Sequence, residues 1–179
     1  MATLKEQLES AVRSIPDFPI KGINFKDISP IFLDPSLLMA CPKALAEPWK
    51  NADVTKVVGI DSRGFLFGPQ MAQELKAGFV MVRKKGKLPP ETISVSYSLE
   101  YGEAELESVV HAIKPGDRVV VHDDLLATGG TAAAAAALVE KLGGTVVGFS
   151  FIIHLTALPG SEKLGSHKAP IHALLEYND

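Results

Sequence analysis

The segment Val119-Val120-Val121-His122-Asp123-Asp124-Leu125-Leu126-Ala127-Thr128-Gly129-Gly130-Thr131 constrains the fold of this chain more than any other stretch. An apolar run of strand type enters and two adjacent carboxylates follow. A Thr-Gly-Gly-Thr turn then opens onto Ala132–Ala137, consecutive alanines that cost almost nothing to place in a helix. Strand, polar turn, helix is the unit from which parallel α/β sheets are built. Two further short apolar runs, Lys56–Ile60 and Gly78–Val82, have the same character, and the first leads into a helical stretch through Phe67 to Leu75. Gly143-Gly144 stops the alanine helix, and Val146 to Leu155 resumes as a buried strand. Upstream, Thr3 to Ile15 is predicted as a helix. Thr3 and Glu6 have capping-box spacing, Leu4, Leu8, Ala11, Val12 and Ile15 form a stripe, and Pro16 and Pro19 end it. A second helix is expected from about Pro35 toward Trp49. The result is an α/β chain with a central, mostly parallel sheet flanked by helices, whose ligands bind beyond the carboxyl ends of the strands.

Its 179 residues suit one domain spanning 1–179, with neither repeat nor Gly/Ser linker to divide it. A net charge of -3 argues against a broad basic surface for nucleic acid. No apolar run approaches the ~20 residues of a membrane span, and Met1 to Ser10 lacks the apolar core of a signal peptide. Cys41 is the sole cysteine, so no intramolecular disulfide forms and a reducing compartment, the cytoplasm, is expected.

The turn after the third strand suits an anion. Glycines bring backbone N–H groups close, the hydroxyls of Thr128 and Thr131 add donors, and the helix N-terminus adds partial positive charge. Neither the G-x-x-x-x-G-K-[ST] loop nor G-x-G-x-x-G is present, and without a nearby lysine a terminal monophosphate fits better than a triphosphate. Asp123 and Asp124 repel each other and on a regular strand point to opposite faces. At a strand end both converge on sugar hydroxyls or a hydrated Mg²⁺.

Arg83-Lys84-Lys85-Gly86-Lys87 reads alone as a solvated loop; behind a buried strand it becomes a phosphate contact. Ser62 lies in Gly59-Ile60-Asp61-Ser62-Arg63-Gly64, whose spacing departs from the G-x-S-x-G nucleophile elbow. The five histidines lack metal-ligand spacing, and His154 is expected as a satisfied core or rim residue of the last strand. From Thr92 to Tyr101, Ile93, Val95, Tyr97, Leu99 and Tyr101 alternate with polar residues, a strand with one polar face that sets Glu100 and Tyr101 on opposite sides.

The acid-pair and Thr-Gly-Gly-Thr segment resembles the phosphoribosyl pyrophosphate signature of the type I phosphoribosyltransferases. Asp17–Pro30 resembles the base-binding segment of the adenine phosphoribosyltransferases (about 16–30), and Gly59–Pro69 their pyrophosphate loop. Arg83–Pro89 and Tyr97–Gly102 resemble their small mobile hood (about 84–106). The likeness runs in order from about Ile15 to Gly160.

By position it implies Ala127, Thr128, Gly129, Gly130 and Thr131 around a 5′-phosphate and Asp123 and Asp124 at the ribose hydroxyls. It sets Ser62, Arg63, Arg83 and Lys87 toward pyrophosphate and its Mg²⁺, an ion held mainly by the substrate with no firm protein ligand. Phe25 and Leu125 would sandwich adenine, the Asn24 backbone and Lys26 side chain would read the base edge, and Glu100, beside Tyr101 on the hood, would transfer the proton. The activity implied is transfer of phosphoribosyl from phosphoribosyl pyrophosphate to adenine, giving AMP and pyrophosphate in purine salvage, by a homodimer with the basic segment near its interface.

The chain departs from the family pattern at several positions. His122 stands where an aliphatic residue is usual, Lys21 replaces a proline, Lys26 an arginine, and Asn24 an aliphatic residue. Three of these lie in the base-binding segment, so a relative acting on another purine is the nearest alternative; the Tyr-Ser-Leu-Glu-Tyr-Gly hood speaks against it. A non-catalytic sensor of phosphoribosyl pyrophosphate or purines is the other. That reading normally needs a DNA-binding module, and no helix-turn-helix is evident here.

Overall fold

A computed structural model describes residues 2–99 and 102–178. In chain order the elements are α1 (Leu4–Ala11), β1 (Arg13–Ile15), β2 (Phe25–Asp27), α2 (Ser29–Leu33), α3 (Pro35–Ala46), β3 (Lys56–Ile60), α4 (Gly68–Glu74), β4 (Gly78–Lys84), β5 (Thr92–Leu99), β6 (Gly102–Val109), β7 (Arg118–Leu126), α5 (Gly130–Lys141), β8 (Thr145–Leu155), α6 (Gly160–Leu164) and β9 (Ile171–Tyr177). Among the described residues, seven strands form one sheet in the order β5-β6-β4-β3-β7-β8-β9. The run from β4 to β9 is parallel, as the alternation of buried strands and helices requires. An antiparallel hairpin, β5–β6, extends its edge.

The side-chain period of two sorts the central strands between two cores. Val58, Val119 and Val121 face one side, under Ala135, Leu138 and Val139 of α5. Val57 and Val120 face the other, under Leu8 of α1, Leu45 of α3 and Met71 of α4. Covering both faces is why these strands read as continuous apolar runs.

Three expectations need correction. The N-terminal helix stops at Ala11 rather than Ile15. Thr3 and Glu6 do form the capping box, but Arg13–Ile15 leaves the helix and pairs antiparallel with Phe25–Asp27. The Arg13 guanidinium meets Asp27, so a cross-strand ion pair and ladder outweigh the apolar stripe that continued the helical period. His154 is not on the last strand, because β9 follows and pairs with β8 in parallel. Finally, β7 continues through Leu126, so Asp123 and Asp124 lie within a strand, not at its end.

Candidate active site

The site lies past the carboxyl ends of β3 and β4 and along the last residues of β7. Two cavities share Asp123 and Thr131 as walls. The larger, of about 390 Å³, is lined by Asp61, Ser62 and Arg63 after β3, Lys84 of β4, Tyr97 of β5, Ala104 and Leu106 of β6, and the acid pair. The smaller, of about 90 Å³, is a cup formed by Leu125 to Ala132.

The cup is built from backbone. Gly129 takes a left-handed φ of +76° and is the N-cap of α5, with no side-chain cap on the first helical turn. Those N–H groups are left for an anion, at the positive end of the helix dipole. A Cβ on Gly129 would also stand 2.9 Å from the carbonyl oxygen of Gly160, so the turn is wedged against the start of α6. A side chain here would both strain the backbone and push the two segments apart.

The larger cavity is a mosaic of charge. Arg63 Nε lies 3.0 Å from Oδ2 of buried Asp124. Arg83 Nε donates to Asp61 Oδ2 at 2.9 Å, and its Nη1 donates to the Lys87 carbonyl at 3.1 Å. Asp123 accepts from the Asp124 backbone N–H at 2.9 Å and has no ion pair among the described residues. Burial raises both carboxyls of the pair. Asp123 is raised further by the charge of Asp124, whereas the Arg63 guanidinium draws Asp124 back down. In the absence of ligand the pair therefore resists carrying two full charges.

Gly64, next to Arg63, lets the turn after β3 lie close against β7: a Cβ there would sit 2.9 Å from the His122 carbonyl oxygen. His122 itself is fully buried in the middle of the sheet. Its Nδ1–H donates to the Ser150 carbonyl at 3.0 Å, while Nε2 has no partner among the described residues. Burial pushes its pKa down to about 4, so the ring is neutral and leaves no positive charge beside the acids.

The Asp17–Pro30 segment reaches the site through Arg63, whose Cζ lies 5.6 Å from the centroid of the Phe25 ring. Phe18 packs edge-on against Phe25 at 5.2 Å. Asn24 is exposed; Lys26 is buried, with Nζ 3.0 Å from Ser14 Oγ and 4.4 Å over the Tyr177 ring. None of Asn24, Phe25 and Lys26 lines either cavity. Leu125 lines the smaller cup. Glu100 and Tyr101 lie outside the described residues.

Lys87 contributes backbone to this region, while Lys84 is the lysine that lines the larger cavity. Sequence reasoning passed over Lys84, Asp61 and Tyr97. The run of basic residues gave no basis for ranking one lysine above another, but Tyr97 was already marked by the alternation of β5.

A sheet with this order, a Thr-Gly-Gly-Thr anion cup and an acid pair beside a cationic loop define a nucleotide-handling transferase fold. The phosphoribosyl transferase domain model matches residues 32–168, and the chain belongs to that family. Within it, the chain groups with the adenine phosphoribosyltransferases. It is 49% identical to the one from Anaeromyxobacter sp. (strain Fw109-5) over 177 residues, 99% of each chain. The crystal structure of adenine phosphoribosyltransferase from Rhodothermus marinus superposes with a TM-score of 0.92 at 52% identity, covering 99% of this chain and 100% of that one. The Saccharomyces cerevisiae enzyme, complexed with an imino-altritol bisphosphate and adenine, gives 0.91 at 41% identity, covering 98% and 100%.

Proposed function

We propose that the chain transfers the 5-phosphoribosyl group of phosphoribosyl pyrophosphate to N9 of adenine, giving AMP and pyrophosphate. The observation that carries this reading is the pairing of the uncapped Gly129–Thr131 cup with the adjoining cavity of Arg63, Lys84 and the acid pair. The cup holds one phosphate, the cations hold a second and more highly charged group, and Asp123 stands on the wall shared between them, with Asp124 beside it in the larger cavity. Relatives at about half identity over nearly the full length carry the same activity in their names.

Pyrophosphate departs with the electron pair of the C1–O bond, and Arg63 and Lys84, with Ser62 donating, stabilise its growing charge. Positive character develops on the ribose ring as in other glycosyl transfers. The acid pair faces it, and its carboxyl oxygens accept from the 2′- and 3′-hydroxyls. The purine stacks on Phe25 once Arg63 turns from that ring to the pyrophosphate, with Leu125 on the opposite side. By resemblance the Asn24 backbone and the Lys26 side chain would read the base edge. The N9 proton passes to Glu100 on the hood.

The donor set fits Mg²⁺ only as an ion carried in with substrate. Asp61 and Asp124 are engaged by Arg83 and Arg63, and no cluster of three metal-ligating side chains exists among the described residues. Phosphate and ribose oxygens would supply most of its ligands, Asp123 could add a carboxylate oxygen, and the ion would neutralise pyrophosphate charge. In this reading the enzyme is a cytoplasmic homodimer. Exposed Leu33, Met39, Leu66 and Met81 offer apolar surface to a second copy, and molar mass in solution tests it.

The test of base identity is competition. Adenine, hypoxanthine, guanine and xanthine are supplied together with phosphoribosyl pyrophosphate and Mg²⁺, and the nucleotides are resolved by chromatography. AMP alone is expected. IMP, GMP or XMP would overturn the base assignment, and no nucleotide from folded protein that still binds phosphoribosyl pyrophosphate would favour a sensor.

A further inference from the structure

The Glu107 carboxylate is an unusual feature of the hood root. It lies on β6, is 3% exposed, and pairs across the sheet with Arg83 of β4 and Ser94 of β5. No cation closes on it among the described residues. Instead its Oε1 accepts the backbone N–H of Lys87 and of Leu88, each at 2.9 Å. Burial pushes this carboxyl upward, yet the amides of Leu88, Lys87 and Gly86 and the Thr92 hydroxyl outweigh burial and leave it below the ordinary carboxylate range. A buried carboxylate made ionised by backbone amides is a strong, directional anchor.

What it anchors is the basic turn. The bonds continue outward in one line. Glu107 holds the Lys87 and Leu88 amides, the Lys87 carbonyl accepts from Arg83, and Arg83 binds Asp61 on the cavity wall next to Ser62 and Arg63. Lys84, at the other end of the turn, lines that cavity. Arg83 is thus fixed from one side by a group that never reaches the site, and Lys84 is its neighbour on β4. Turns held only by water would leave those cations to spread over many positions, and their order would have to be supplied when the polyanion binds.

We infer that Glu107 is a positioning residue for the pyrophosphate half of the site: it organises the turn after β4 so that Arg83 and Lys84 are preset for the leaving group. The inference rests on the assignment of pyrophosphate to the cavity beside Arg63 and Lys84. It also ties the hood to that half. Glu107 sits on the returning strand of the hairpin, so the hairpin root and the basic turn are joined through it.

The experiment compares wild type, Glu107→Ala and Glu107→Gln in full-length protein. Steady-state constants are measured for both substrates, and calorimetry follows Mg²⁺-pyrophosphate and AMP separately. Glu107→Ala is expected to raise KM for phosphoribosyl pyrophosphate and Kd for pyrophosphate about tenfold, the loss of charge-assisted anchoring bonds. KM for adenine and Kd for AMP should stay within about twofold of wild type, because the cup and base segment do not depend on this turn. Glu107→Gln, which keeps one acceptor oxygen but turns an amine toward donors, should fall between, about threefold above wild type. It decides the matter if the alanine variant does not fold. Unchanged pyrophosphate affinity in a folded Glu107→Gln protein, or equal losses for AMP and pyrophosphate, would reduce Glu107 to a structural residue and overturn the inference. Failure of wild type itself to bind pyrophosphate would instead remove the functional reading beneath it.

Discussion

Arg63, in the turn after β3, meets Asp124 of β7, Nε to Oδ2 at 3.0 Å, with the acid buried and the guanidinium half-exposed over the ring of Phe25. One side chain thereby touches Asp124, lines the larger cavity and lies over the Phe25 ring. That arrangement couples Asp124, the larger cavity and the Phe25 ring.

Arg63→Ala should raise KM for phosphoribosyl pyrophosphate about ten- to a hundredfold, the range for loss of a charged contact. It should also lift the Asp124 carboxyl further, because burial would then act on it without the opposing guanidinium. Steady-state kinetics across pH check both. An unchanged KM would remove Arg63 from the pyrophosphate site.

Asp124→Asn keeps the shape of the side chain and removes its charge. Turnover should fall by about a hundredfold or more, as expected for loss of electrostatic stabilisation at the reacting ring, while thermal stability stays near wild type. Relief of a buried, partly compensated charge explains why the fold should tolerate it. Turnover unaltered would exclude the acid pair from the chemistry.

Gly129→Ala places a methyl group on a residue at φ +76°, 2.9 Å from the Gly160 carbonyl oxygen. Left-handed strain alone costs about 1–2 kcal/mol of stability, to be read by chemical denaturation. AMP should lose more affinity than pyrophosphate, since only AMP uses the cup. Equal losses would count against the phosphate assignment.

His122 gives the stability a pH dependence of predictable sign. Its folded pKa is about 4 against an ordinary 6.5, so the unfolded chain binds the proton more readily. Stability is therefore full above pH 6.5, falls as the pH drops toward 4, and loses up to about 3 kcal/mol from this residue. His172, also lowered by burial, acts in the same sense. Asp27 acts in a different window: its pKa is lowered to about 2 by the Ser29 hydroxyl and amide and by Arg13, so its contribution is lost only below about 3.8. Urea unfolding of wild type and His122→Val at pH 7 and pH 4.5 separates these effects. The variant should lose clearly less between the two, and parallel losses would show that His122 does not resist protonation.

The strand-turn-helix around Asp123–Thr131 was legible because its composition leaves few alternatives: apolar residues buried on both faces, a turn that only glycine tolerates, then alanines. The strand starts at Lys56, Gly78 and Arg118 and the helix over Ala132–Ala137 follow from the same logic. What escaped was set by partners distant in sequence. Arg13–Ile15 carries a helical apolar stripe, yet Asp27 and Phe25 draw it into a ladder. Glu103, Glu105 and Glu107 alternate with Ala104 and Leu106, a strand signal, but a pattern of that kind assigns its glutamates to solvent. Glu107 is buried instead, and only the amides of a turn on another strand explain why. Likewise, nothing local distinguishes Lys84 from Lys87; the end of β4 does, by aiming one residue into the cavity and folding the next few away.

The central claim is a balanced transfer, and phosphorus NMR of a single reaction tests it most directly. Adenine, Mg²⁺ and phosphoribosyl pyrophosphate are mixed with enzyme, and all phosphorus signals are followed to completion. The account predicts that AMP and pyrophosphate rise together in equal amounts and that omitting adenine halts both. Pyrophosphate released at the same rate without adenine, or substrate left intact by folded protein, would contradict it.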